Sequence, residues 1–289
     1  MMRRLVGLAL VALLAPAAAP AAEPKSWSAL LERYSPTVVT LRLTLRTELE
    51  GSGSPPEDSS DEVQGTVVDA SGLILVWNSH LAAGRTAELF AHFGGEEGLH
   101  MKVTPTDIRV LLPGESREHA AFLAASDSDL DLAFVQLEEK PERELAAVDF
   151  SRPATIAIGD ELGTVSRLSS SFDRAAFFDT VRVAGEIKKP RAAWIIAGGN
   201  ATQVGMPYYA ADGKPAGVLV TFLSRAGEPT SKDANRIFTD LMSLGRGQSE
   251  VGPMGLFLLP AERVRGVVAL ARQRAAELLA ERHAAAAKP

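Results

Sequence analysis

Three short stretches carry residues that could do chemistry together. In "ILVWNSHL" a histidine, His80, stands just past an apolar run. In "SDLDLAFVQL" an aspartate, Asp131, opens a second apolar run. In "TQVGMPYYAADGKPAGVLV", residues 202–220, a tight turn with Gly205 and Pro207 leads into a third. A base, then an acid, then a Gly-x-Pro turn is one of the chain orders in which hydrolytic triads are strung. In such a triad a hydroxyl attacks, the imidazole takes its proton, and the carboxylate holds the imidazole tautomer. This turn has Val204 where the hydroxyl would stand. Valine can neither attack nor be activated.

Other chemistries find less support. The five histidines, His80, His92, His100, His119 and His283, include no helix-spaced ligand pair, so no metal is predicted. The glycine-rich stretch "GGEEG" has two acids where a phosphate would need amides and a cation. No nucleotide cofactor is predicted from it. There is no cysteine, hence no disulfide framework, thiol nucleophile or lipoprotein anchor.

The elements that must position these residues are mostly strands. "KSWSALLERY", 25–34, places Trp27, Leu30, Leu31 and Tyr34 on one helical face. "TVVTLRLTLRTEL" alternates apolar and polar residues and reads as a half-buried strand. Residues 50–62, "EGSGSPPEDSSDE", read as a loop by composition. Two apolar runs around Asp69–Gly72 predict a hairpin ending near His80. Beyond an unpatterned "HFGGEEGLHM", strands flank a turn at Pro113-Gly114 and an acidic turn before Asp131. Further strands are predicted at 154–158, 162–168, 178–187, 192–197 and 216–223, with a hairpin turn at Asp212-Gly213. So many short strands predict an all-β sandwich or barrel, whose closure removes exposed edges. The end differs: 260–283 is a long helix, with Val264, Val267, Val268, Leu270, Ala271, Leu278 and Leu279 at helical spacing. An amphipathic helix there is expected to dock on its own barrel, and the Ala-rich tail past His283 to fray.

Bulk properties narrow the partners. With 46% hydrophobic and 23% charged residues over 289 positions, the chain is globular and long enough for a sizeable core. Arg3 and Arg4 precede an apolar run, Leu5–Leu14, and a small-residue stretch. That is the pattern of a signal peptide spanning 1–22, and it predicts a secreted or periplasmic protein. Losing both arginines and no acid takes the net charge from −6 to −8, which argues against nucleic acid as a partner. No transmembrane segment is predicted, because no run of about 18 apolar residues occurs.

Five stretches, taken in order, resemble the trypsin-like serine peptidases of the HtrA/DegP type. "GTVVDASGLILVWNSHL" resembles that family's hairpin before the catalytic histidine. "SDLDLAFVQL" is similar to its Thr-Asp-Leu-Ala-Leu-Leu-Lys, and "IAIGDELGTVSRL" to its Val-Gly-Asp-x-Val-x-Ala-Ile-Gly. "VGMPYYAADGKPAGVLV" is similar to Ser-Gly-Gly-Pro-Leu and the strand beyond it. "GLFLLPAERVRGVV" resembles the strand and helix that close the peptidase domain. The resemblance runs over about residues 36–272. It implies a trypsin-like double six-stranded antiparallel β-barrel with a C-terminal α-helix. The barrels would occupy about 36–150 and 151–258 of a domain at 25–289, without the PDZ domain that usually follows.

The resemblance implies roles residue by residue. His80 matches the general base, Asp131 the acid that orients it, and Val204 the nucleophile position. Thr202, Gln203, Gly205 and Met206 match the oxyanion and substrate loop, but where the family has Gly, Asn and Gly this chain has Thr202, Gln203 and Met206. Trp77 replaces the family's Thr three residues before the histidine. The reading is a pseudoprotease that binds a protein or peptide, with an unfolded segment or an envelope protein as candidate ligands. His80 and Asp131 are expected to persist as a hydrogen-bonded pair between the barrels, which satisfies two buried polar groups. Two alternatives stand beside it: an unusual serine-type endopeptidase using Thr202 or one of Ser169–Ser171, and an envelope scaffold that oligomerises through the terminal helix.

Overall fold

The computed structural model describes residues 26–50, 53, 55–81, 100–189, 191–223 and 254–286. The predicted signal peptide and most of "HFGGEEGLHM" lie outside the described residues. Alternating strands close into two antiparallel barrels of six strands each. The first holds β1 (Val38–Glu50), β2 (Glu57–Asp69), β3 (Leu73–Trp77), β4 (His100–Leu111), β5 (Glu118–Asp127) and β6 (Leu132–Leu137), in the order β1-β2-β3-β6-β5-β4. The second holds β7 (Glu161–Arg167), β8 (Ala176–Ile187), β9 (Ala193–Gly198), β10 (Pro207–Tyr209), β11 (Pro215–Leu223) and β12 (Met254–Pro260), in the order β10-β11-β12-β9-β8-β7. This double barrel is the trypsin-like architecture. Helix α1 (Trp27–Tyr34) precedes it, and helix α2 (Ala261–Ala286) follows β12 directly.

Each barrel fills with its own inward residues. Val39, Leu41, Ile74, Val76 and Val135 pack inside the first, and Leu162, Val183, Leu219 and Leu258 inside the second. A third core lies between them. Leu75, Phe122 and Phe134 of the first barrel meet Val165, Val218 and Val220 of the second. Val264, Val268, Ala271 and Ala275 of α2 close this shared core from one side. The helix therefore docks on its own molecule, and Arg282 pairs with Glu138 at 2.8 Å while lying over the Phe122 ring. Helix α1 clamps the second barrel: Tyr34 stacks on Tyr209 at 3.8 Å, and Trp27 lies against Gly163, where a Cβ would clash at 2.5 Å.

One side chain also joins the barrels as if it were backbone. The Gln64 amide donates to the Arg167 carbonyl at 2.7 Å and accepts from the Arg167 amide at 2.8 Å. That is the paired exchange of an antiparallel ladder, made between β2 and β7.

Four expectations need correction. Residues 57–62 are strand, not loop: they pair with β1 from Thr47↔Glu57 to Arg42↔Glu62. Their polar side chains are met across the ladder, Arg46 by Asp58 at 2.9 Å and Arg42 by Glu62 at 3.0 Å, so nothing needs burial there. Residues 154–158 form no ladder; Ala154 donates to Pro215 O and the segment turns at Asp160. The terminal helix continues through Ala286 instead of fraying past His283, and Leu270 on it faces solvent at 69% exposure.

Candidate functional site

The corner predicted to hold the site is built by adjacent strand ends. β3 and β6 pair antiparallel with Trp77 opposite Leu132. The 3-10 turn Asn78–His80 and the turn carrying Asp131 therefore leave the sheet side by side. Asn78 N donates to Asp131 O at 3.1 Å and fastens one turn to the other. Asp131 sits at φ 57°, in the left-handed region that aspartate tolerates better than most residues. From the second barrel, the Val204–Gly205 turn reaches the same corner. Gly205 has φ 85°, and a Cβ on it would lie 2.7 Å from the Trp77 backbone nitrogen. Only glycine allows that approach. His80, Asp131 and the 202–206 loop thus meet around Trp77.

The contacts at that corner differ from a triad. The Asp131 carboxylate accepts from the Trp77 indole N–H, from the Thr221 hydroxyl of β11, and from Ser79 Oγ at 3.1 Å. Among the described residues, no hydrogen bond or ion pair joins His80 to Asp131. The pair expected from the sequence is therefore replaced, because Trp77 brings a donor of its own to the carboxylate. His80 instead meets the Trp77 ring edge to face, with centroids 4.8 Å apart and planes at 81°. Burial pushes the His80 pKa below its ordinary value, against an opposing pull from Asp61. The imidazole is accordingly neutral at pH 7.

The loop of the second barrel is closed as well. Val204 is 5% exposed and belongs to the inner core of that barrel, with Trp77 packed against it. An oxyanion hole needs backbone N–H groups aimed at open space. Here Thr202 N donates to Asn200 Oδ1 at 3.0 Å and Gln203 N to Asn200 O at 2.9 Å. Gly205 N donates to Leu219 O at 2.7 Å and Met206 N to Gln203 O at 3.0 Å. The N–H groups of Thr202, Gln203, Gly205 and Met206 are thus committed within the protein. The Gln203 side chain is buried and held three ways. Tyr208 OH and Asn200 N donate to its Oε1 at 2.7 and 3.1 Å, and its Nε2 donates to Asp179 at 2.9 Å. Burial and Asp179 together push the Tyr208 pKa far up, so its hydroxyl stays protonated as donor. Met206 takes part in the shared core, with Thr66 Oγ1 donating to its Sδ at 3.9 Å.

Substitute nucleophiles do not come to the histidine. Thr202 is exposed, Ser169–Ser171 form the exposed tip of the β7–β8 hairpin, and none of them hydrogen-bonds to His80 among the described residues. Sequence reasoning missed the parts played by Ser79 and Thr221. It noted Trp77 only as a departure. The one available signal was that a tryptophan beside an acid-bearing strand end brings its own N–H donor. Among the described residues, no group of three His, Asp or Glu side chains is placed to hold a metal ion.

No protein-family profile matches this chain, and no curated protein matches it. Solved structures do. An HtrA-type protease, AlgW, with a decapeptide is 17% identical, over 82% of this chain and 64% of its own, at a TM-score of 0.49. The same protease with a tripeptide is 18% identical, over 84% of this chain and 62% of its own, also at 0.49. The chain thus spans less than two thirds of the length of either structure.

Proposed function

We propose that the protein is an exported, trypsin-fold pseudoprotease that binds a protein or peptide and does not hydrolyse it. One observation carries the reading: the Asp131 carboxylate is taken by Trp77, Ser79 and Thr221, leaving His80 without its acid beside a valine at the nucleophile position. A serine peptidase needs a hydroxyl, a base oriented by an acid, and free oxyanion donors; Val204, the Asp131 contacts and the engaged Thr202 N–H work against each in turn. The signal-peptide pattern at 1–22 supports export in this reading, and unfolded envelope proteins are then candidate ligands.

The test treats the mature protein with a fluorophosphonate probe and assays it on casein, with a parallel binding measurement on a reduced, unfolded polypeptide. The reading expects no covalent labelling, no cleavage, and saturable binding. Labelling at any Ser or Thr, or turnover abolished by His80→Ala, restores the endopeptidase alternative and ends this reading.

A further inference from the structure

A cavity of about 300 Å³ opens at the other end of β3, away from His80. Three elements wall it: the end of β2 and the start of its turn at Val68–Ala70, the inter-barrel linker at Ala147–Ser151, and the α2 face carrying Arg265, Val268 and Arg272. Its size lies at the lower end of the range for small-ligand sites, roughly 300–1,000 Å³.

The lining is apolar below and charged at the rim. Val68, Val148, Phe150 and Val268, buried residues of the shared core, form the base of the cavity, and the more exposed Ala70, Ala147 and Ala269 stand above them. Both rim acids are already engaged. Asp69 is paired with Arg272 at 2.6 Å and accepts from Ser71 N at 2.9 Å. Asp149 accepts from Ser151 N at 2.8 Å. Burial pulls the Asp69 pKa up, but the Ser71 hydrogen bonds and Arg272 outweigh it and leave it below the ordinary value. The Ser151 hydrogen bond, with help from Arg152 and Arg272, lowers that of Asp149. Both acids therefore stay ionised and occupied at neutral pH. Arg265 is different: among the described residues it makes no hydrogen bond or ion pair.

An apolar floor beside an arginine with unused donors fits one chemistry. We propose that this cavity binds a short apolar group bearing a terminal carboxylate, with the apolar part on Val68, Val148, Phe150 and Val268 and the carboxylate on Arg265. A guanidinium presents a planar fork that matches a carboxylate in two parallel hydrogen bonds. A compact dianion such as phosphate fits less well, since Asp69 and Asp149 stand on the same rim. The inference does not use the reading of the His80 corner, so either can fail alone.

The experiment is a backbone-amide NMR titration of the mature protein with acetyl-Leu-Leu, its C-terminal amide, octanoate and inorganic phosphate. Shifts from a carboxylate ligand are expected at 68–70, 147–151 and 265–272. Arg265→Gln should weaken that binding at least ten-fold and Arg265→Lys only a few-fold. Ala269→Trp, which fills the mouth from an exposed position, should abolish it. Tight binding of the peptide over octanoate assigns the site to a peptide C-terminus, and the reverse assigns it to an aliphatic acid; each supports the proposal. Equal shifts from the amide and the acid, binding indifferent to Arg265→Gln, or no shift at these residues with any ligand overturns it.

Discussion

The two ends of β3 are opposites. At one end lie His80, Asp131 and the 202–206 loop, the corner whose residue types announce chemistry, and it is closed. Among the described residues its carboxylate accepts from Trp77, Ser79 and Thr221, the N–H groups of Thr202, Gln203, Gly205 and Met206 are committed, and its nucleophile position is core. At the other end lies a turn that announces nothing, yet with α2 it leaves a lined cavity and an arginine, Arg265, that makes no hydrogen bond or ion pair among the described residues. Residue types that could react are thus poor guides to where a protein is open. What matters is whether each donor and acceptor has already been satisfied.

That contrast can be broken first by stability. Asp131→Ala strips the acceptor from Trp77, Ser79 and Thr221 at once and places alanine at φ 57°. Leaving such donors unpaired, with the added backbone strain, should cost about 3–5 kcal/mol in urea unfolding. Asp131→Asn, which keeps one acceptor oxygen and tolerates this φ, should cost about half as much. Arg265→Ala at the other end should change stability by less than about 0.5 kcal/mol, as an exposed site away from the core does. Equal effects at the two ends would erase the distinction.

The second effect is in pH. His80 binds its proton more weakly folded than unfolded, so below its ordinary pKa of 6.5 the unfolded chain takes up the proton first. The neutral imidazole therefore costs nothing at pH 8, and stability falls as pH drops below about 6.5 toward the folded pKa. His80→Gln should flatten that part of the curve in denaturant titrations at pH 5 to 8. An unchanged slope would mean that His80 is as well solvated folded as unfolded.

The smallest expected effect is none. Val204→Ser should acquire no fluorophosphonate label, because Trp77 still holds Asp131 and the Thr202 N–H is still spent on Asn200. Labelling of that single variant would show that the corner is one residue from activity.

The barrels were legible because they rest on periodicity. Alternating Val, Leu and Ile over β1, β3 and β6 fixes which face is inside, and the chain order of His80, Asp131 and the Val204 turn follows from hairpins of ordinary length. Strand residues 57–62 were illegible because their side chains face solvent, and burial is all that a hydropathy pattern records. The closure of the corner was illegible for another reason. Which acceptor Trp77 reaches, and where the amides of 202–206 point, depend on backbone directions that no residue type encodes. The same holds for the cavity, which is a gap between three elements far apart in sequence.

Helix α2 has a consequence in time. The chain is made from its N-terminal end, and each barrel can fill its own interior before α2 exists. The core they share cannot be finished then, since Val264, Val268, Ala271 and Ala275 form its outer wall. Until those residues arrive, Phe122 of β5 and Val220 of β11, strands on which α2 packs, border water or a chaperone. The seam between the barrels is therefore the last part to solidify during biogenesis, and the interval before it does is when a nascent molecule is most prone to stick to its neighbours.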